Sequence, residues 1–505
     1  MKRTILSILS VLSFHILLAQ SPVQAVKTYV SQAAAKEPLK SSSWGMKAVD
    51  GKGNTIVEWS SSRRFVPASN MKLVTTGTAL WHLGASHRFI TEIAYSGEID
   101  STGVLHGDVY ILGGGDPTIG TTDSIAVATN TLFRNWCASL MKQGIRSVDG
   151  FVIGDGRYFD GPLENMTWAY DDLGLYYGTG GNGLSFYANT LDITVAAGPE
   201  PGDSVRIVST WPEAPWMTYR FNCTTGKKGS GDNLFYFTTD LAPVGELRGT
   251  FAVDRKSKVE GCSNKFGDLT CAYYFCRYLS DAGIEVLRGP ARIGIDGVLT
   301  DALFDRYPSV AVPRDSVTVV GSTLSPTLAK IAFETNHRSD NFYAESLLRQ
   351  LGVDITGSAE YDSCYVAERQ VLSNMGMGKN GIRIEDGSGL SRRNYVTPAW
   401  MVAFLRTMMK SRSFDAYLHS LPSPGKEGTL KSLMSREPSS LKSRIYMKSG
   451  SMNGVLCYSG YILSPDKDPS KTITFSILTT NSVAPTSEVR DVLMAIISRL
   501  AAVNA

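Results

Sequence analysis

Apolar residues recur at helical spacing in both end regions of the chain. The leucines of the first such segment predict a helix that begins at about Ser69 and stops at Gly84. The last helix is expected to be capped by Thr486 or Ser487, and its apolar face consists of Val489, Val492, Leu493, Ile496, Ile497 and Leu500. Further helices are predicted at residues 124–143, 269–281, 327–333, 342–351 and 363–375, and from Thr397-Pro398 onward.

Short and alternating apolar runs predict strands in the remaining sequence. They lie at residues 44–59, in a hairpin of 93–99 and 104–112, and at 284–295, 443–448, 454–463 and 472–480. Between residues 184 and 266, short β-rich segments alternate with Gly, Pro, Asp and Asn, without a strong helical pattern. Mixed helices and strands around a β-rich middle indicate an α/β (α+β) protein.

The order of these elements predicts three domains, because 505 residues exceed one ordinary hydrophobic core. Residues 26–89 and 320–505 are expected to form one α/β domain. The sequence between them is expected to form two inserted domains rich in β-structure. Residues 90–183 and 267–319 would make up the first, and residues 184–266 the second.

Residues 1–25 have the features of a secretory signal peptide. Lys2 and Arg3 precede an apolar run, and small-residue cleavage sites end at Ala19 or Ala25. A membrane anchor is the alternative, but the run is shorter than the roughly 18 apolar residues that a membrane span needs. We therefore expect export to the periplasm or cell envelope, and no transmembrane span in the mature chain.

Charge and cysteine content narrow the classes of function. The chain has 50 basic and 47 acidic residues without a long run of either, so no nucleic-acid partner is indicated. Among the seven cysteines, Cys223 and Cys262 flank one β-rich segment and could form a disulfide, with buried free thiols as the alternative. The six histidines show no metal-ligand spacing, so no metal site is predicted.

Ser69 and Lys72 form the first candidate catalytic pair. They are three residues apart in a predicted helix and therefore face the same side. A serine hydroxyl needs a base within hydrogen-bond reach, and Lys72 can serve only if burial or a nearby charge such as Lys448 lowers its pKa. The helix N-terminus also offers free N–H groups for a developing oxyanion. Taken alone, S-x-x-K is more typical of a capped helix with a solvated lysine.

Ser339-Asp-Asn341 is the second polar segment. In an extended loop, Ser339 and Asn341 would point to one face, where they could pass a proton to a leaving amine and hold a substrate amide. Alternatively, Ser339 or Asp340 caps the helix predicted to start at Phe342.

Lys448 and Ser449 end a strand pattern that begins at Arg444, and Gly450 follows them. Gly450 lacks the Cβ that would obstruct a ligand along the strand edge. A peptide added there as an extra strand would place its carboxylate near Ser449 and Lys448. A glycine turn with an exposed lysine is the alternative. The joint order of S-x-x-K, S-x-N and K-S-G is far rarer than any one of them.

The three motifs in this order resemble those of penicillin-recognising serine enzymes, particularly the low-molecular-mass class C penicillin-binding proteins, which are D-alanyl-D-alanine carboxypeptidases and endopeptidases. The long separation between Lys72 and Ser339 leaves room for the two inserted domains of this branch. Four further segments resemble sequences of this family, at residues 113–117, 168–173, 386–392 and 428–430. The resemblance implies a penicillin-binding-protein/serine β-lactamase-like transpeptidase domain.

The same resemblance implies roles for individual residues. Ser69 would be the acylated nucleophile and Lys72 its base, with the second and third elements formed by Ser339, Asn341, Lys448, Ser449 and Gly450. The oxyanion hole would consist of the backbone N–H groups of Ser69 and Ser451. Ser449 occupies a position at which threonine is usual in this family, and serine retains the hydroxyl group.

Arg392, with either Asp171 or Asp172, resembles the pair that binds the free end of a diaminopimelyl side chain in this branch. The alternative is that these charges form surface ion pairs.

These features lead to one main hypothesis and two alternatives. The main hypothesis is a serine DD-carboxypeptidase/DD-endopeptidase that acts on peptidoglycan peptides through an acyl-enzyme, is acylated by β-lactams and uses no cofactor. A β-lactamase or esterase on the same scaffold would need fast deacylation. A non-catalytic peptidoglycan-binding protein is disfavoured because all three motifs are intact.

Overall fold

The computed structural model describes residues 21–293, 309–310 and 316–504. The described helices are α1 Pro22–Ala34, α2 Met71–His82, α3 Thr129–Lys142, α4 Gly267–Asp281, α5 Leu328–His337, α6 Asn341–Thr356, α7 Tyr361–Asn374, α8 Pro398–Met408, α9 Phe414–His419, α10 Ser439–Lys442 and α11 Thr486–Ala501. Most of the predicted signal peptide lies outside the described residues, and α1 begins within its last part.

The strands of the N-terminal half are β1 Ser43–Val49, β2 Thr55–Trp59, β3 Ile90–Tyr95, β4 Glu98–Ile99, β5 Val104–His106, β6 Val109–Leu112, β7 Ser147–Val148, β8 Phe151–Asp155, β9 Thr190–Ala196, β10 Arg206–Trp211, β11 Thr218–Gly226, β12 Asp232–Thr239 and β13 Ala242–Ala252. Those that follow are β14 Ser257–Ser263, β15 Glu285–Val286, β16 Gly289–Ile293, β17 Ser309–Val310, β18 Thr318–Leu324, β19 Ile382–Arg383, β20 Tyr395–Val396, β21 Ile445–Met452, β22 Val455–Ile462 and β23 Ile473–Thr480.

A five-stranded antiparallel sheet joins the two ends of the chain, in the order β2-β1-β23-β22-β21. Every residue of β22 and β23 is buried because helices cover both faces. On one face, Leu456 and Tyr458 pack with α1 and α11. On the other, Cys457 and Tyr461 pack with α2 and α8. Strand β21 is left at the sheet edge.

Helix α2 is enclosed by helices from the C-terminal half of the chain. Its residues from Met71 to Leu80 are all buried. It packs against α5, α6, α7 and α8. This packing brings the beginning of α2 next to the beginning of α6, although the two are far apart in sequence.

The region between β2 and α5 contains a mixed six-stranded sheet in the order β17-β16-β8-β6-β3-β18, packed with α3 and α4. A smaller sheet has the order β15-β7-β5-β4. Strand β18 crosses the domain boundary predicted at residue 320, because it pairs antiparallel with β3. The remaining boundaries stay predictions.

Residues 184–266 form two three-stranded sheets, ordered β10-β9-β14 and β11-β13-β12, around one apolar core. Cys223 and Cys262 both lie in this core as free thiols, so the disulfide does not form in this structure. The other five cysteines are also free thiols and lie outside this core. Within the described residues, no helix has the length and apolar character needed to cross a membrane.

Three local predictions are wrong in detail. Strand β21 continues to Met452, so Lys448 lies within the strand rather than at its end, because pairing with β22 continues through this segment. Helix α6 begins at Asn341 rather than Phe342, since Asp340 is its cap. Helix α11 follows Pro485 without a side-chain cap, and both Thr486 and Ser487 are already helical.

Candidate active site

Ser69 lies in a short 3-10 turn, Ala68–Asn70, at the start of α2. Ala68 has a φ of 46°, which is strained for a residue with a Cβ. The turn packs tightly against the loop at residues 386–392. A Cβ on Gly389 would lie 1.9 Å from the Ala68 carbonyl oxygen. The residue before Ser69 is therefore held by its surroundings in an unusual backbone conformation.

The turn is also fastened to the five-stranded sheet. Asn70 Nδ2 donates to the carbonyl oxygen of Lys448 at 3.1 Å. A Cβ on Gly450 would lie 2.5 Å from the Pro67 carbonyl oxygen. The expectation that Gly450 keeps the strand edge open for a ligand is therefore wrong, because the space beside it is filled by the turn.

Lys72 Nζ is the centre of the hydrogen-bond network. It lies 3.2 Å from Ser69 Oγ, 2.6 Å from Asn341 Oδ1 and 2.7 Å from the Ser388 carbonyl oxygen. The last two are acceptors that carry no proton. A neutral amine has two N–H groups and one lone pair. If it donates both to these two oxygens, its lone pair is directed to the Ser69 hydroxyl.

Burial lowers the pKa of Lys72 to about 8, against the opposing effect of Asp386, Asp340 and Glu345, whose negative charges raise it. The sequence left two causes open for a low Lys72 pKa, burial and the nearby charge of Lys448. Burial is the main cause. A pKa near neutrality gives a usable fraction of free amine.

The buried carboxylate of Glu345 holds the backbone just before the Ser388 carbonyl. Glu345 accepts hydrogen bonds from Ser388 N at 2.8 Å and Gly387 N at 3.3 Å. Thr75 Oγ1 donates to the Gly387 carbonyl oxygen at 2.7 Å. The peptide unit between Gly387 and Ser388 is therefore fixed from both sides, which positions the Ser388 carbonyl that follows it.

Asp386 organises the rest of the loop at residues 386–392. Its carboxylate accepts from Gly389 N at 2.7 Å, Asn394 Nδ2 at 2.7 Å and the indole Nε1 of Trp168 at 2.9 Å. Because Trp168 belongs to the inserted region, this contact joins two of the family-like segments named above.

Ser339 lies in a turn rather than in an extended loop. Its φ is 60°, and Asp340 caps α6 by accepting from Tyr343 N at 3.0 Å. The capping alternative is thus confirmed for Asp340, and it coexists with a position at the site. Asn341 Oδ1 faces the Lys72 amine, and its Nδ2 donates to the Tyr177 carbonyl oxygen at 2.9 Å.

The strained Ser339 turn is held from the inserted region as well. Asp123 accepts a hydrogen bond from Tyr343 Oη at 2.5 Å and forms an ion pair with Arg338. These two partners flank Ser339 in the sequence. One carboxylate therefore fastens both sides of the turn.

Lys448 joins the second and third motifs. Its Nζ donates to Ser339 Oγ at 2.9 Å and to the Ser449 carbonyl oxygen at 2.8 Å. Burial, followed by the positive charge of Lys72, holds the pKa of Lys448 well below its usual range. The Ser449 hydroxyl donates to Thr429 Oγ1 at 3.1 Å.

A cavity of about 780 Å³ opens in front of these groups. Lys72, Lys448, Ser449 and Gly450 are not part of its wall. The predicted site residues that line it are Ser69, Ser339, Asn341, Ser451, Arg392, Asp171 and Asp172. Ser69 and Ser451 thus reach the same cavity, as an oxyanion hole formed by both requires.

Arg392, Asp171 and Asp172 line the cavity without forming ion pairs with each other among the described residues. Arg392 donates from both terminal nitrogens to the Asn453 carbonyl oxygen at 3.2 Å, and the described part of the chain shows no ion pair between it and Asp171 or Asp172. Tyr177 Oη donates to Asp172 at 3.1 Å. Burial raises the pKa of Asp172, and the Arg392 charge opposes this.

Sequence reasoning missed four contributors: Asp123, Tyr177, Glu345 and the Ser388 carbonyl. For Glu345 a signal existed, because an acid four residues after Asn341 lies on the same helix face. The other three depend on contacts between distant segments. Over residues 21–293 and 316–504, no group of three His, Cys, Asp or Glu side chains could hold a metal ion.

Comparison with known proteins gives a family match over most of the chain. The model of the D-Ala-D-Ala carboxypeptidase 3 (S13) family matches residues 26–503. A D-alanyl-D-alanine carboxypeptidase of an Actinomadura species is 27% identical over 469 residues, which are 87% of this chain and 78% of the relative.

Solved structures match the fold over most of both chains. Penicillin binding protein 4 of Haemophilus influenzae has a TM-score of 0.76 at 22% identity, covering 93% of this chain and 98% of that one. The same protein has also been solved in complex with a β-lactam. A predatory peptidoglycan endopeptidase of Bdellovibrio bacteriovorus has a TM-score of 0.50 at 14% identity, covering 91% and 92%.

Proposed function

We infer the reaction from one premise: the chain belongs to the D-Ala-D-Ala carboxypeptidase 3 (S13) family, and it is a serine-type D-Ala-D-Ala peptidase. The observation that carries the assignment of residues is the buried Lys72 amine, 3.2 Å from Ser69 Oγ and already supplied with two acceptors. We propose that Ser69 is the nucleophile and Lys72 the base.

In acylation, Ser69 Oγ attacks the carbonyl carbon of the penultimate D-alanine while Lys72 takes the hydroxyl proton. The oxyanion is stabilised by the N–H groups of Ser69 and Ser451. The C–N bond then breaks, and the proton that Lys72 took passes through Ser339 to the leaving amine, so Lys72 is neutral again. Ser339 accepts a hydrogen bond from Lys448 at 2.9 Å. The products are free D-alanine and an ester on Ser69.

In deacylation, a water molecule attacks the ester carbonyl and gives its proton to the same base. The C–O bond to Ser69 breaks, and the serine recovers its proton, which releases the shortened peptide. The carboxypeptidase and endopeptidase reactions differ only in the leaving amine, which is D-alanine in the first and the side-chain amine of a cross-linked peptide in the second.

We further propose peptidoglycan stem peptides and cross-links as the substrate and the periplasm or cell envelope as the location. The family match and the signal-peptide pattern of residues 1–25 support this. A β-lactam carries a strained amide in place of the scissile bond and should acylate Ser69, as the β-lactam complex of the Haemophilus influenzae protein suggests.

The Ser69→Ala variant tests the nucleophile. Labelling by a fluorescent penicillin should disappear because no hydroxyl remains to form the ester, while the melting temperature should stay within a few degrees of wild type. Ser451→Ala, which keeps the backbone N–H, is the matched control and should still be labelled. Persistent labelling of the Ser69 variant would exclude this serine.

Adduct lifetime separates the peptidase from a β-lactamase or esterase. Mass spectrometry after penicillin addition should show an adduct that lasts many minutes. Rapid return of free enzyme would instead support the β-lactamase alternative. A protein that binds a muropeptide without releasing D-alanine would support the non-catalytic one.

We also propose that Arg392 and an acid of the inserted region bind the zwitterionic end of a diaminopimelyl side chain. Three observations support this proposal. All three charged residues line the cavity that contains Ser69. Among the described residues, the hydrogen-bond partner of the guanidinium is a backbone carbonyl, so the guanidinium can bind a carboxylate. Asp171 and Asp172 can meet the ammonium.

A further inference from the structure

A second cavity of about 580 Å³ lies beside the segment that carries the nucleophile. Phe65 and Val66 line this second cavity, whereas Ala68 and Ser69 line the catalytic one. Three residues of extended chain span at most about 10 Å, so the two cavities are close neighbours. We call the second cavity the basic groove and define it by Lys40, Trp44, Trp59, Arg63, Arg64 and Tyr395.

The basic groove has an excess of positive charge. Lys40, Arg63 and Arg64 are exposed, and none of them forms an ion pair among the described residues. No aspartate or glutamate lines the groove. An unneutralised cluster of three cations in a concave surface favours an anionic ligand.

The groove also has an aromatic wall. The indoles of Trp44 and Trp59 stack with a centroid separation of 5.8 Å and an interplanar angle of 16°. Trp44 is buried, whereas 39% of the Trp59 surface is exposed. A buried partner that holds an exposed indole in place creates a flat apolar surface, which suits the face of a sugar ring.

Together these features point to an anionic saccharide, and we propose that the basic groove binds the glycan strand of peptidoglycan while a stem peptide occupies the catalytic cavity. This proposal rests on the proposed function, since it assumes a peptidoglycan substrate. A sugar ring would lie on Trp59, and the lactyl carboxylates of neighbouring muramyl residues that have lost their peptides would lie near Arg63 and Arg64. Binding energy from such a remote part of the substrate can position the scissile bond.

The test uses the full mature chain and two purified probes. One is a glycan strand freed of its peptides, which bears carboxylates, and the other is a neutral N-acetylglucosamine oligosaccharide. Wild type should bind the first more tightly, with an affinity that falls as salt rises. Arg63→Ala/Arg64→Ala should weaken this binding about tenfold, since two charge-assisted contacts are lost. Trp59→Ala should weaken binding of both probes.

The matched control is Arg134→Ala/Lys142→Ala, which removes two exposed positive charges from α3, away from the groove. It should bind both probes as wild type does. Equal weakening in the two double variants would show a net-charge effect and overturn the proposal. Tight binding of free stem peptide in the groove, without the sugar, would also overturn it.

Penicillin labelling separates this proposal from the proposed function. All groove variants should be labelled at the wild-type rate, because penicillin occupies only the catalytic cavity. If wild type is labelled normally but does not bind the glycan strand, glycan binding in the groove is excluded and the proposed function is unaffected. Failure of wild type to be labelled would instead contradict the proposed function.

Discussion

Lys72 is the residue whose protonation state controls acylation in the proposed mechanism. Burial lowers its pKa to about 8, and only the neutral form can take the Ser69 proton. The rate of acylation should therefore rise with pH and level off above about 8. The geometry around the amine depends on Glu345, which holds the Ser388 peptide.

Glu345→Gln should lower kcat/KM for acylation about tenfold to hundredfold. An amide offers one acceptor oxygen where the carboxylate accepts from two N–H groups, and charged hydrogen bonds of this kind contribute about 1.5–3 kcal/mol. Loss of the negative charge should also lower the pKa of Lys72, so the pH profile should shift to lower pH. The profile is measured with a chromogenic β-lactam.

Glu368→Gln is the matched control for this experiment. Glu368 is also buried and hydrogen-bonded, but its partner is Thr78 and it does not contact the Ser388 peptide. Its acylation rate and pH profile should match wild type. Equal losses in both variants would mean that Glu345 only supports the fold.

Arg392→Ala should slow hydrolysis selectively. A peptide that ends in free diaminopimelate should lose about tenfold to hundredfold in kcat/KM, because a charge-assisted contact is lost. A peptide with an acetylated side chain should be affected far less. Equal slowing of both peptides would exclude the proposed specificity contact.

At the level of secondary-structure elements, helix α7 places the buried carboxyl group of Glu368 against α2. Thr78 Oγ1 donates to Glu368 Oε1 at 3.3 Å, and the other carboxylate oxygen has no hydrogen-bond partner in the described part of the chain. Burial raises the pKa of Glu368 to about 8, and the charges of Glu345 and Asp386 act in the same direction. The folded state therefore prefers the protonated acid.

The Glu368→Gln variant should reveal this preference through stability. Because the folded pKa is raised, its stabilising contribution is fully present below the usual value of about 4.5 and is lost as pH rises through about 8. Glutamine imitates the protonated form at every pH. The melting temperature of the variant should exceed that of wild type increasingly from about pH 5 to pH 9, by a few degrees. Parallel curves would contradict the assignment.

At the scale of the whole molecule, the inserted region does more than enlarge the chain. It contributes Asp123 and the Tyr177 carbonyl to the Ser339 turn and Trp168 to the Asp386 loop. The active site is thus assembled from segments on both sides of the insertion. Correct packing of the inserted region should be a condition for catalysis.

Asp123→Asn should show this dependence. The amide cannot keep the ion pair with Arg338, so the Ser339 turn should loosen and acylation should slow about tenfold. Asp354→Asn removes a more exposed carboxylate, which pairs with His82 at 2.7 Å near the C-terminal end of α6, and should leave acylation unchanged. Both variants are compared by penicillin acylation rate and melting temperature. An unaltered rate in Asp123→Asn would exclude this role.

Much of the architecture was predictable because it depends on local pattern. The buried face of α11, the N-terminal cap and proline of α8, and the β-rich region from residue 184 to 266 follow from periodicity and turn residues. Local pattern failed where pairing between distant segments decides the outcome. Strand β18 and the continuation of β21 exist because a neighbouring strand satisfies their backbone groups.

Residue type and spacing were enough to identify the candidate chemistry, because three motifs in a fixed order supply a serine, two lysines and polar side chains. The arrangement of these groups depends on tertiary contacts. Burial, which no single sequence displays, gives Lys72 its lowered pKa, and hydrogen bonds to Asn341 and the Ser388 carbonyl set the geometry of its amine. Gly450 illustrates the contrast. The sequence predicts that the missing Cβ leaves space for a ligand, but in the fold that space is filled by the Ser69 turn. Side-chain identity is local, whereas desolvation and close approach depend on segments that only the fold brings together.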